Sequence, residues 1–373
     1  MRKNFRVYLV NPNGGRMSPK NLSLSDIYGS DPLAKVFVTK WNVSPIGAGL
    51  FFILSGVIYA GFLPRFWGYP LDIDGVNLLN IILVFPVAGY FYVSQPRSIL
   101  KTYESLARYL REEEDHDVFH ISKIKSTHNR PLWWIIGTLF GLLGAGLGIS
   151  FSIAHFKEFW YSANGFEIVL VQGVRFLAYY CIGVAASRHI AASLELNNLF
   201  EHTDLPLTAD ADRLEIFRSV KNFALEFVGV AAIIALNLGL QPLLIDPPIL
   251  EYSIYVSLYF IVAPVSFFLP LWEAHMTMVR TKDKMLDRLN YDYQEESQKL
   301  FHKMGNDSKI FSYVREADAL TRLEQTIQSV SRATDWPFQG TTVYRLFATV
   351  VSPFLLVVFE IFINIVSNIF APN

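Results

Sequence analysis

Apolar residues along this chain are bunched into long runs separated by polar stretches, the arrangement of a membrane protein. Seven runs are near the roughly 20 residues that cross about 30 Å of hydrocarbon as a helix. They are 46–63, 76–94, 132–154, 167–187, 222–242, 252–272 and 346–368. The first is the shortest and stops at Pro64. The pattern predicts an all-α, polytopic membrane protein with seven transmembrane helices.

The polar stretches predict the rest of the architecture. An N-terminal segment, 1–45, precedes the runs. Segment 46–272 holds the first six, with loops 95–131 and 188–221 between them. Loop 95–131 is expected to hold a helix, "SILKTYESLARYLREEEDHD", and loop 188–221 is expected to extend the fourth run to about Glu201 before a turn at "TDLPLTADAD". Beyond 272, "WEAHMTMVRTKDKMLDRLNYDYQEESQKLF" has no Pro or Gly, so the sixth run is expected to continue as one long helix. "GNDS", 305–308, is turn chemistry. A second helix then follows, with Tyr313, Leu320, Leu323, Ile327 and Val330 at heptad-like spacing. "DWPFQG", 335–340, breaks the chain before the last run. Residues 273–340 are thus expected to form a helical hairpin, packed on itself or also against other subunits, and 341–373 to form the seventh helix and a short tail.

Charge orients this plan. The segments 1–45, 95–131, 188–221 and 280–345 carry seven, seven, four and eleven Lys/Arg, 29 of the 32 in the chain. The opposite side has only Arg65 and Lys157, and Arg175 falls within the fourth run. The excess of basic residues marks the cytosolic side, so the N-terminus and hairpin are expected inside and the C-terminus outside. Trp41, Trp67, Trp133, Trp134, Trp160 and Trp272 flank the runs, where amphipathic rings favour the headgroup level. The first 20 residues have no signal-peptide h-region, so the first run is expected to act as its own targeting signal. A single cysteine, Cys181, excludes an intrachain disulfide. A net charge of −1 argues against nucleic acid as a partner. The expected home is the plasma (cytoplasmic) membrane.

Candidate chemistry lies in the few polar residues inside apolar runs. Gly137, Gly141, Gly144, Gly146 and Gly148 in the third run read as a close-packing surface, within or between subunits. Arg175 lies eight residues into the fourth run, about 12 Å deep, and Glu360 lies at a similar depth in the seventh. A charge at the bilayer centre costs about 2.5–3.5 kcal/mol. Three readings stay open: an Arg175–Glu360 bridge, a hydrated pathway lined by one or both, or snorkelling of Arg175. Thr349, Ser352, Glu360, Asn364 and Asn368 recur at helical spacing and form a polar stripe on the seventh run. Such a stripe faces protein or water, and it makes this helix the candidate pore lining. Gln172, Asn237 and Glu226 are weaker polar candidates. His116 and His120, at i, i+4 beside "EEED", are a weak metal pair; neither a metal nor any other cofactor is expected.

No phosphate loop GxxxxGK[ST], no HExxH and no GxSxG occurs, so no enzymatic activity is expected. The seventh run has no lysine for a retinal Schiff base. Seven spans, a cytosolic N-terminus, a long helical extension of span six with a return helix, and a broken approach to span seven together resemble the insect odorant and gustatory receptor channels. The resemblance implies four subunits joined through a cytosolic anchor of helix extensions, with the seventh helix lining a central pore. That family's Thr-Tyr…Gln-Phe pattern is not matched by Thr342 and Tyr344 in "TTVYRLFATVV", so no functional residue is carried over. The functional expectation is an oligomeric ion channel or ionotropic receptor, a tetramer by preference, whose partners are the bilayer, ions and a small-molecule ligand. The alternatives are a secondary transporter with a site at Arg175 and Glu360, or a non-transporting membrane scaffold or signalling protein whose hairpin binds a cytosolic partner.

Overall fold

The computed structural model describes residues 23–66, 68, 75–112, 121–155, 165–201, 214–244, 249–306, 314–333 and 335–336, with isolated positions at 344, 347–348, 351 and 355. Every regular element among them is helical: α1 (Leu24–Tyr28), α2 (Pro32–Lys40), α3 (Pro45–Val57), α4 (Phe85–Glu112), α5 (Ile121–His128), α6 (Leu132–Ala154), α7 (Gly165–Glu201), α8 (Leu214–Leu244), α9 (Ile249–Asn306) and α10 (Val314–Ser331). Five of these helices are long and apolar enough to cross a membrane, or six if the bent pair α2 and α3 counts as one span. The protein is therefore an integral membrane protein by its helices. The seventh run of the sequence lies almost wholly outside the described residues.

At the centre stands α7, packed against α4, α6 and α9. Its stretch from Gly183 to Ser193 is rich in Gly, Ala and Ser, and Val184, Ala185, Ala191 and Ala192 are almost completely buried. Small side chains let neighbouring backbones come close, which supplies the packing that lipid cannot drive. The closest approach is to α6. A Cβ on Gly137 would collide with Val184, and one on Gly141 or Gly144 would sit 2.8 Å from the Phe176 ring or 2.7 Å from the Tyr179 ring. The glycine stripe therefore packs within the chain, against α7, while Leu139, Leu142 and Leu143 face outward and stay exposed. Gly146, off the stripe, has open space around it.

Prolines shape three of the spans. A proline has no N–H, so the carbonyl four residues earlier loses its helical donor. Two widened, π-helical stretches, Ile58–Phe62 and Asn80–Val84, run directly into Leu63-Pro64 and Phe85-Pro86. In each, the residue before the proline bonds five residues back, Leu63 to Ile58 and Phe85 to Asn80, which re-satisfies part of the ladder. In α4, Pro96 frees the carbonyl of Tyr92, and in α9 Pro270 frees that of Ser266. Consecutive residues of α7 claim both: Arg188 Nη1 donates to Tyr92 O at 3.4 Å, and His189 Nε2 donates to Ser266 O at 2.8 Å. Replacement donors of this kind are what make proline tolerable inside a membrane helix.

The sequence places α2 before the first span, and the structure folds it back at 113° to α3. Asn42 takes a left-handed φ of 48° at the break. Pro45 opens α3, with Ser44 as its N-cap accepting from Gly47 N at 3.0 Å. The segment is held by Asp31, which is 3% exposed. Its carboxylate accepts from Leu33 N, Ala34 N, Tyr92 OH, Tyr180 OH and Arg188 Nη2. Arg188 is 2% exposed and lies over the Tyr92 and Tyr28 rings, 4.9 and 5.5 Å from their centroids.

The long helix predicted beyond the sixth run is present as α9, 58 residues in one piece. Its return arm, α10, lies along it. Leu320, Leu323, Ile327 and Val330 of the predicted stripe are half-buried, as is Glu316, while Tyr313 lies outside the described residues; no residue of α10 is fully buried. Lys303–Glu316 closes one end of the hairpin at 3.4 Å. At the other, Lys282 bonds Asp335 at 2.8 Å and Ala333 O at 2.9 Å. Trp336 stacks on His275, centroids 3.9 Å apart, and seals the return arm against α9.

Candidate functional site

Of the residues singled out in the sequence, Thr349, Ser352, Glu360, Asn364 and Asn368 lie outside the described residues, as do His116 and His120. Arg175 is described. It is half-buried, at the wall of a cavity of about 360 Å³ bordered by α4, α6, α7, α8 and α9, with Tyr59 contributing from beyond α3. Its position follows from the glycine stripe. A Cβ on Gly148 would collide with both Gln172 Oε1 and Arg175 Nη1, so the absent side chain leaves the slot these two groups fill.

Two of the weaker sequence candidates, Gln172 and Asn237, line the same cavity. The helices bring them there for a simple reason. Both lie within long apolar spans, where a polar side chain must turn from lipid toward protein or a cavity. Gln172 is 4% exposed. Its Nε2 donates to Ser152 Oγ at 3.4 Å, and that hydroxyl in turn donates to Gly148 O at 2.8 Å. Asn237 is 3% exposed, and its Nδ2 donates to Asn80 Oδ1 at 3.1 Å. Each amide thus uses its nitrogen, and Gln172 Oε1 and Asn237 Oδ1 have no hydrogen-bond donor. Glu226, the third weak candidate, points out of the bundle and is exposed.

The remaining wall is mainly aromatic and aliphatic, including Phe85, Phe91, Phe140, Phe151, Phe227 and Ile234. Arg175 is the one charged side chain in the lining among the described residues. Tyr59 and Asn80 enter the wall from the two π-helical stretches, so the prolines that widen those turns also shape the cavity. Asn80 is a site residue that periodicity alone does not flag. Its signal in the sequence is an amide six residues before Pro86 in an otherwise apolar run.

A second polar centre, Asp31–Arg188 with Tyr92 and Tyr180, escapes a sequence reading because Asp31 lies in a polar tail and Arg188 at the nominal edge of a loop. Its carboxylate has five donors and no room for a ligand. His189 is fully buried between the Phe223 and Phe227 rings, 4.5 and 4.3 Å from their centroids. Among the described residues no group of three or more His, Cys, Asp or Glu is placed to hold a metal ion. The arrangement suits non-covalent binding in a mostly apolar cleft with a few directed polar groups, the usual form of a small-molecule site. No protein-family model matches the chain, and comparison with curated proteins and with solved structures likewise finds no match.

Proposed function

We propose that the protein is an oligomeric, ligand-responsive ion channel of the plasma membrane, with seven spans, a cytosolic N-terminus and an external C-terminus. Its subunits, four by preference, join through the cytosolic hairpin of α9 and α10, and the polar face of the seventh helix lines the pore. The observation that carries this reading is the length of α9. At 1.5 Å per residue its 58 residues extend about 87 Å, nearly three times the hydrocarbon thickness. A two-helix projection whose return arm buries no residue completely is a thin structure to keep in isolation. Contact with equivalent hairpins supplies the missing burial. Within the pore, Glu360 favours cations by its field and Asn364 replaces part of an ion's hydration.

The experiment is purification in detergent for oligomeric state, followed by single-channel recording in bilayers. The expected result is a tetramer with unitary currents whose cation selectivity falls in Glu360→Gln. A silent monomer overturns the proposal. The presence of Arg175 in the cavity wall favours a secondary transporter as the second reading. Saturable uptake without unitary current would establish that one instead.

A further inference from the structure

Helix α2 leaves α-helical winding where its charges lie. Lys35–Lys40 is π-helical, and Trp41 N donates to Val36 O, five residues back, at 2.9 Å. In an α-helix two residues five apart point about 140° away from each other. In the wider winding the fifth residue on comes close to one full turn, so Lys40 is carried over Lys35. Both lysines and Thr39 between them are exposed, while Ala34 and Val38 turn inward to a cluster with Tyr28, Ala48 and Phe52. Two like charges on one helical face repel. The acids of this part of the chain do not offset them. The first 71 residues contain only Asp26 and Asp31. Asp26 pairs with Lys125 at 3.1 Å, and Asp31 is buried with Arg188. Arg130 is a third exposed cation beside this segment, its carbonyl accepting from Ser30 Oγ at 3.3 Å. Lys35, Lys40 and Arg130 enter no ion pair among the described residues.

The bend fixes where this basic face lies. With α3 crossing the bilayer and presenting Ile46, Leu50 and Leu54 outward, a helix at 113° to it runs close to the plane of the membrane surface. Trp41, 61% exposed at the knee, suits the headgroup level. A helix that buries one apolar side and holds lysines on the other in this plane attracts lipid of negative charge. We propose that the outer face of α2 is a docking surface for anionic phospholipid headgroups, with Lys35 and Lys40 sharing one headgroup and Arg130 at its edge. The headgroup anion lies between the two lysines and removes their repulsion. A phosphatidylcholine headgroup brings a quaternary ammonium toward the same lysines and is disfavoured. The surface rests on the chain spanning a bilayer, and neither on conduction nor on which side of the membrane is cytosolic.

The test uses full-length Thr39→Cys, labelled at the new thiol with a fluorophore; buried Cys181 stays unlabelled. The protein is placed in phosphatidylcholine nanodiscs containing a minor fraction of lipid with a nitroxide quencher near the headgroup end of its acyl chain. That lipid is phosphatidylserine in one series and phosphatidylcholine in the other. The ratio of the two quenching curves gives the local preference for the anionic headgroup. The expected preference is at least about fivefold, the scale of one basic residue at a charged membrane surface. Adding Lys35→Gln/Lys40→Gln lowers it below about twofold. The double substitution keeps every basic residue outside α2, so the loss reads this face alone. In about 1 M salt, where exposed charges are screened within roughly 3 Å, the preference shrinks in the same way. Equal quenching by the two lipids overturns the proposal, as does a preference unchanged by salt, or unchanged by the glutamines in a protein that melts as its parent does. Should the glutamine variant fail to fold, the salt series on its parent decides alone. Loss of the preference on adding free glycerophosphoserine reassigns the site to a soluble phosphate and overturns membrane docking. Both leaflets of a nanodisc carry the same lipids and no current is measured, so the outcome stands apart from the orientation and from the channel reading.

Discussion

At the residue scale, the buried pair of Asp31 before α2 and Arg188 of α7 decides more stability than the solvent-facing ion pairs. Lys299 with Glu295 and Glu296 is exposed on all sides, and such pairs contribute little. Asp31 and Arg188 are both almost wholly buried. Removing one member of a buried pair leaves the other charge uncompensated, at a cost of about 3–5 kcal/mol. Arg188→Met is therefore expected to destabilise the protein by that order in a detergent melt. Adding Asp31→Asn recovers much of the loss, because the charge disappears while asparagine still caps α2. A double variant no more stable than Arg188→Met alone would show that the cluster acts through Tyr92 O instead. The neighbouring residue gives a second, sharper case. His189→Phe leaves Ser266 O without the donor that Pro270 already denies it, a loss of about 1–3 kcal/mol. Pro270→Ala restores a backbone N–H at the right position. The destabilisation by His189→Phe should then shrink to near zero on the Pro270→Ala background, a coupling that a thermal double-mutant cycle reads directly.

At the element scale, what the sequence reveals depends on whether local chemistry alone fixes the outcome. The length of α9 is legible because nothing between Trp272 and Phe301 can break a helix, and its return arm is legible because Leu320, Leu323, Ile327 and Val330 share one face. The extension of α7 to Glu201 is legible for the same reason. The fold-back of α2 is not, since it depends on Asp31 finding Arg188, 157 positions away. The cavity lies between these cases. Arg175, Gln172 and Asn237 each stand out as polar residues in apolar runs, but their convergence is a fact of helix packing, and Asn80 joins them only through the π-helical turn before Pro86. The glycine stripe was readable as a packing surface, whereas its mate had to be seen. Gly137 faces Val184 and Tyr180 O of α7 too closely for any side chain. Gly137→Leu is expected to force α6 from α7 and to cost at least about 3 kcal/mol, by overpacking. Gly146→Leu, off the stripe, is expected to change the melting temperature little. Equal effects at the two positions would mean that glycine serves helix flexibility and not close approach.

At the scale of the whole molecule, the orientation rests on one asymmetry, 29 basic residues against two across the proposed membrane plane. Eleven of the 29 lie in 280–345, a stretch long enough to weigh less under the positive-inside rule, yet 18 against two remain without it. The single cysteine makes this directly measurable. Cys181 is 3% exposed inside α7, so the wild-type chain is expected to be inert to a membrane-impermeant maleimide and to need no cysteine removal. New thiols then report sidedness one at a time. Lys157→Cys, between α6 and α7 in the sequence, is expected to label in intact cells. Lys299→Cys, exposed near the hairpin tip, is expected to label only after permeabilisation. The opposite pattern would put the hairpin outside, where no cytosolic assembly of α9 and α10 is possible. Labelling of both in intact cells would place them on one face and remove a span from between them. The proposed anchor requires the first pattern, because a long helix that leaves the bilayer toward the cytosol is the only part of the described chain with enough reach to hold subunits together away from the lipid.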